Sequence, residues 1–191
     1  MKYASKVALV TLAFLGAGAL LSSGAVGDDD EYEHHYRMPW GQSARPGVAP
    51  VEFPLYREEC GSCHMAYPPG LLPAVSWEKI MAGLDRHFGE NAELGNEERI
   101  AILNYLLDRA AGRADYRLSN RMIAGMGQVP MRITELPYFR HEHREIPPWV
   151  VRNNPGVRSF SQCNACHPRA ERGIFDEHEV RIPGYGRFDD D

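Results

Sequence analysis

Cys60-Gly61-Ser62-Cys63-His64 decides the reading of this chain. Two thiols stand three residues apart, and a histidine follows at once. That spacing lets the two sulfurs form thioether bonds to the two vinyl groups of one haem. It also brings the His64 imidazole beneath the iron as the proximal ligand. The pattern returns as Cys163-Asn164-Ala165-Cys166-His167, and the two motifs use all four cysteines of the 191 residues. Two covalently attached haem c groups are therefore expected. Cys60, Cys63, Cys163 and Cys166 would attach them, and His64 and His167 would ligate their irons. A single zinc held by both CxxC pairs is the first rival, but zinc pairs usually lie closer in sequence. Two disulfides are the second. Neither rival calls for a histidine directly after each second cysteine.

The N-terminus reads as a secretory signal. Lys2 and Lys6 precede an apolar run from Val7 to Leu21, and small residues from Ser22 to Gly27 lead to Asp28-Asp29-Asp30. Cleavage after Gly27 or slightly earlier is expected, leaving no stable membrane span, because the apolar run is short for one. Haem c is attached on the exported side of a bacterial membrane, so motif and signal agree on the periplasm. Loss of residues 1–27 removes two lysines and no acids, which takes the formal charge from -5 to -7. Nucleic acid is thereby an unsuitable partner. Lys79 is then the only lysine beside eighteen arginines. Arginine suits bidentate pairing with carboxylates, haem propionates included. Fourteen prolines and eighteen glycines make the chain loop-rich. Such a chain depends on its bound centres for a core, and the apoprotein is expected to be largely unfolded.

The expected fold is mainly α. Residues 28–49 read as an extended lead-in. Residues 54–60 can form a short helix opened by Pro54 and running into the first motif. A proline-rich loop follows from Met65 to Pro73. Ser76 is a candidate cap for a helix from Trp77 to about His87, with Trp77, Ile80, Met81 and Leu84 on one face. Asn96 is a candidate cap for the most secure helix, Glu97 to about Ala111, with Ile100, Leu103, Leu106, Leu107 and Ala110 as its stripe and Gly112 at its end. This order is similar to the small class I cytochrome c fold, in which first and last helices pack together over the haem. The class I-like haem domain is placed at 50–112. Residues 113–191 read as a second haem-binding segment with little regular structure: a turn or two of helix within 116–126, a short one from Leu136 to His143, and a turn at Pro183-Gly184.

The chemistry depends on the sixth position of each iron, since methionine raises the potential, a second histidine lowers it, and an empty position admits small ligands. His87 lies between the first motif and the long helix, where a class I fold presents its distal ligand, and Met81 is its rival. For the second iron the choice is His141 or His143, which are two apart and point in different directions. His34 and His35 could reach back from the lead-in. His178 stands in a charged run.

Residues 56–111, from Tyr56-Arg57-Glu58-Glu59-Cys60 through Ser76-Trp77 to His87-Phe88-Gly89-Glu90-Asn91-Ala92, resemble the bacterial dihaem cytochrome c family with bis-histidine haems. His143-Arg144-Glu145-Ile146-Pro147 and the second CxxCH fit the same family. The resemblance implies His87 and His143 as the remaining iron ligands. It also implies a periplasmic electron-transfer protein, with a monohaem cytochrome c as possible acceptor and a membrane cytochrome b as possible donor. The rival functions are a dihaem peroxidase or small-molecule reductase, a gas-binding protein with one open haem, and a subunit of a larger reductase. No Ser-His-Asp, phosphate-loop or paired-carboxylate pattern points to hydrolysis.

Overall fold

The computed structural model describes residues 46–187, which belong to one compact unit. The expected signal, the lead-in as far as residue 45, His34 and His35 lie outside the described residues.

Helix α1, Pro54–Gly61, begins on the proline at its first turn and delivers Cys60 in its last. The loop beyond it is buried rather than draped on the surface. Its prolines cannot donate, and its carbonyls take side-chain donors instead. Tyr56 Oη donates to the Tyr67 carbonyl at 2.8 Å, and Trp77 Nε1 donates to that of Pro69 at 2.8 Å.

Helix α2, Ala74–Ala82, starts three residues before the expected point and stops four or five short of His87. Pro73 is its cap. Ser76 lies inside the helix, fully buried, with its hydroxyl unpartnered by protein. Gly83, a weak helix former, ends the run, and a 3₁₀ turn at Leu84–Arg86 carries the chain on to His87. Trp77, Ile80, Met81 and Leu84 are buried together, as their spacing predicts. Met81 therefore packs as core.

Helix α3, Asn96–Asp108, is capped by Gly95, whose N–H donates to the Glu98 carboxylate at 3.0 Å. The Asn96 side chain instead accepts from Arg99. The helix ends before Ala111 because the chain turns to pair with the proline loop: the Ala111 N–H donates to Leu72 O at 2.9 Å. Gly112, at φ 81°, serves the turn after that pairing rather than the helix end. The buried face is Ile102, Tyr105 and Leu106, while Ile100 is 46% exposed. Tyr105 sets this rotation. Its ring meets Phe53 at 5.2 Å and Tyr56 at 5.5 Å, and its hydroxyl accepts from the Glu52 N–H. Thus α1 and α3 pack together, as the class I resemblance implies.

The second half is built from short pieces. They are α4 (Arg117–Ile123), a 3₁₀ turn (Ile133–Glu135), α5 (Pro137–Glu142), α6 (Pro148–Arg152), α7 (Cys163–Cys166) and the antiparallel pair β1 (Arg181–Ile182) and β2 (Gly186–Arg187). The β1–β2 turn holds Pro183-Gly184, where a turn is expected. Pro148 occupies the first turn of α6, where a missing N–H costs nothing. Gly47 and Val48 clasp the two halves. Both N–H groups donate to Gly173 O, at 2.8 and 3.3 Å, and Gly47 O accepts from Leu118. One core cluster runs from Val48 through Ile102 and Leu106 to Met122 and Leu136. Each of these aliphatic side chains contributes about 1.5–3 kcal/mol by burial.

Candidate haem sites

The first motif straddles the end of α1. Cys60 is half-buried in the helix, and Cys63, beyond it, is exposed. Burial pushes the free Cys60 thiol up to about 11, with Glu59 adding to it. His64 turns its Nδ1 to the Met65 carbonyl at 2.8 Å. An Nδ1–H donated there leaves Nε2 for a metal. Tyr67 lies nearly parallel to the His64 ring, centroids 4.7 Å apart and planes inclined by 23°. The 3₁₀ turn after α2 brings His87 opposite, and a sharp exit follows through Phe88 at φ 53° and Gly89 at φ 110°. The Arg132 guanidinium sits 3.9 Å over the Phe88 ring. Burial, then His64, then Arg132 lower the His87 pKa, so its imidazole stays neutral and able to ligate.

The second motif is α7, with His167 at its C-terminal cap. Burial pushes the Cys163 thiol up to about 11. It pushes His167 down to about 4, with nearby His143 adding to the effect. The Nδ1 of His167 is buried without a protein partner. His143 caps α5. Its backbone N–H and its ring Nδ1 both meet the Phe139 carbonyl, at 3.2 and 2.9 Å. Its ring stacks on Phe139 at 4.0 Å and 13°, and Phe160 closes on its edge at 5.8 Å. Phe175 lies 5.4 Å from His167. His141 diverges from its neighbour two residues on, as alternation predicts. It is exposed and engages Arg144 at 2.7 Å. His178 is exposed, and its backbone N–H donates to Asp176.

The spacing of these rings tests whether haem fits. An imidazole nitrogen binds a first-row metal at about 2 Å, with the ring centroid roughly 1 Å behind it, so two imidazoles on opposite faces of one metal have centroids about 6 Å apart. The His64 and His87 centroids are 6.3 Å apart, with planes inclined by 28°. The His143 and His167 centroids are 6.2 Å apart, with planes inclined by 72°. Among the described residues no three His, Cys, Asp or Glu side chains converge on one point, which a bare ion would require. Two imidazoles suffice only where a macrocycle supplies the other donors. A cleft of about 1270 Å³, counting its solvent-open part, is lined by His143, His167, Cys163, Cys166, Phe160 and Phe175, among others. The four cysteines are unpaired with one another. The residues fit haem.

A profile for dihaem cytochrome c matches residues 56–175. The chain belongs to the dihaem cytochrome c family. Two haem c groups are accordingly its covalent cofactors, and its role is that of a haem-based electron carrier. This cytochrome is similar to a dihaem cytochrome c of Shewanella baltica OS155, with 46% identity over 71% of this chain and 97% of the other, at a TM-score of 0.60. A dihaem cytochrome c of Rhodobacter sphaeroides is 43% identical over 67% and 99%, at a TM-score of 0.59. A second structure of that kind, purified from Rhodobacter sphaeroides, is 44% identical over 65% and 98%, at a TM-score of 0.54. No curated protein matches. No helix among the described residues is long and apolar enough to cross a membrane.

Sequence reasoning did not single out Tyr67, Phe139, Phe160 or Phe175. Only Phe139 left a signal, since it lies four residues before His143 on one helical face. The others approach the ligand rings across long sequence separations or through loops.

Proposed function

We propose that this dihaem cytochrome c carries electrons between redox partners in the periplasm, each iron held by two histidines. His64 and His87 hold the first, and His167 and His143 the second. Each iron would take both ligands from its own part of the chain, 50–112 for the first and 113–191 for the second. The pair of imidazole spacings, 6.3 and 6.2 Å, carries this reading. With two histidines on each iron, no coordination site would be left for peroxide, nitrite or a gas. Haem c supplies a one-electron Fe(III)/Fe(II) couple. The chain's own part is to hold four imidazoles in place. Backbone carbonyls orient His64 and His143, and burial keeps His87 and His167 unprotonated. A ligand set that need not change between oxidation states keeps reorganisation small.

The periplasmic placement rests on the signal expected at residues 1–27 and on the site of haem c attachment. A small monohaem cytochrome c as acceptor and a membrane cytochrome b as donor follow the family resemblance. The exposed Cys63 brings the first motif to the surface, where a partner could approach.

Electron paramagnetic resonance and carbon monoxide binding test the reading. Imidazoles with near-parallel planes donate into one iron d orbital and split the pair, while near-perpendicular planes leave the pair almost degenerate. The expected spectrum is two low-spin ferric signals, one rhombic from the first iron and one with a larger maximum g value from the second. Carbon monoxide should leave the reduced protein unchanged and should bind after His87→Ala or His143→Ala. A high-spin signal or carbon monoxide binding in the unaltered protein would overturn it in favour of an enzyme or gas-binding site.

A further inference from the structure

One side chain links the first haem motif to the stretch that enters the second. Tyr67 lies three residues after His64, and its ring faces that imidazole at 4.7 Å and 23°. Its hydroxyl donates to the carbonyl of Ser161 at 2.7 Å, across a separation of 94 residues. Ser161 stands two residues before Cys163. Its own N–H donates to the Ser159 hydroxyl at 3.1 Å, and among the described residues its carbonyl otherwise meets only the Cys163 sulfur, at 3.8 Å. A thioether sulfur has no proton to give, so with haem attached the phenol is that carbonyl's remaining donor among these contacts. Tyr67 is itself held from behind, because Tyr56 donates to its backbone carbonyl at 2.8 Å. A phenol is a neutral hydrogen-bond donor at neutral pH.

We infer that Tyr67 is a positioning residue coupling the two haem centres: its ring sets the plane of the His64 imidazole, and its hydroxyl fixes the backbone that enters the second motif. The inference rests on the bis-histidine reading above and adds a residue that ligates neither iron. A stacked ring opposes rotation of the imidazole it faces. The angle between the planes at the first iron, 28°, is then partly the property of Tyr67. The hydrogen bond and the ring stack together run from the His64 ring through Tyr67 to Ser161, two residues before Cys163.

Two variants of the full haem-loaded protein separate the two parts. Tyr67→Phe keeps the ring and loses the hydroxyl. Both low-spin signals should keep their positions, while electron exchange between the haems after rapid partial reduction should slow several-fold. Tyr67→Leu loses the stack. The rhombic signal should move to a different maximum g value, and the signal of the second iron should stay in place. A Tyr67→Leu protein with both signals unmoved would overturn the positioning role, whatever its melting temperature. If Tyr67→Leu does not fold, an unaltered exchange rate in Tyr67→Phe would overturn the coupling. Failure of the bis-histidine reading would be visible separately, as carbon monoxide binding to the unaltered protein.

Discussion

The two halves reach the same imidazole spacing by different means. The first builds a conventional apolar core. Helix α3 carries Ile102, Tyr105 and Leu106 inward, α2 adds Trp77, Ile80 and Met81, and the ligands stand at the rim of that core. The second has no helix longer than seven residues among its described elements. Its order near the ligands comes from aromatic rings set directly against them, with Phe139 and Phe160 on His143 and Phe175 on His167. A protein can thus hold a haem against a finished core, or let the haem complete a core that the chain leaves unfinished. The charges divide along the same line. Residues 50–112 hold five basic and ten acidic side chains, whereas 113–191 hold twelve and eleven, so the halves carry -5 and +1.

Removing the attachment points is the strongest way to break this comparison. Cys163→Ala with Cys166→Ala should leave one haem per chain and make the region beyond residue 113 sensitive to protease. Cys60→Ala with Cys63→Ala should also cost a haem, but α2 and α3 should keep most of their helical signal, since their mutual contacts are apolar. Haem content by absorbance and limited proteolysis read both. Equal collapse in the two double variants would show that the first half depends on its haem as fully as the second, as expected when folding energy is binding energy.

Acid should separate the halves next. His167 has its folded value near 4, below the ordinary 6.5, so the fold favours the neutral ring. That contribution is present above pH 6.5 and is lost as pH falls toward 4, to a total of about 3 kcal/mol. His87 is lowered in the same direction but is less buried. Iron ligation adds to both preferences and moves both transitions to lower pH. In an acid titration followed by low-spin absorbance and resonance, the rhombic signal should fade first. The reverse order would mean that burial does not govern which centre opens.

The clasp between the halves gives a smaller effect. Gly173 lies at φ 72°, and a Cβ there would collide with the Val48 carbonyl oxygen. Gly173→Ala should lower stability by about 1–3 kcal/mol, from backbone strain and loss of the bonds that Gly47 and Val48 donate. Calorimetry should show the loss with both resonance signals in place. If only one half melts earlier, the two are less firmly joined than their common core indicates.

Much of the first half was legible because its order is local. Spacing alone marks α1 with its proline, the buried face of α2 and the long α3. The errors lie where tertiary bonds override that pattern. Ala111 leaves the helix to meet Leu72, and Tyr105 turns α3 away from the stripe of Ile100 and Leu103. His87 stands between motif and helix, where a distal ligand is expected, and its ring faces that of His64. In the second half, neither α6 nor the aromatic wedges carry a periodic signal, because single rings placed by loops follow no period. His143 and His141 could not be divided by spacing, and the arrangement of Phe139 and Arg144 around them is visible only in three dimensions.

The charge division predicts the mildest effect. Charged side chains act over about 10 Å at 0.1 M salt, so at low salt the acidic first half should draw cations to its haem and turn anions toward the nearly neutral second half. The fully reduced protein can be oxidised by hexaammineruthenium(III), a cation, or by ferricyanide, an anion, and frozen within milliseconds. The cation should raise the rhombic ferric signal of the first iron first, and the anion that of the second. Haem propionates add negative charge to both halves alike and leave the difference between them in place. Raising the salt should shrink the preference for both reagents. If the same signal leads with both oxidants, haem exposure rather than charge sets the point of entry, and the halves differ in packing alone.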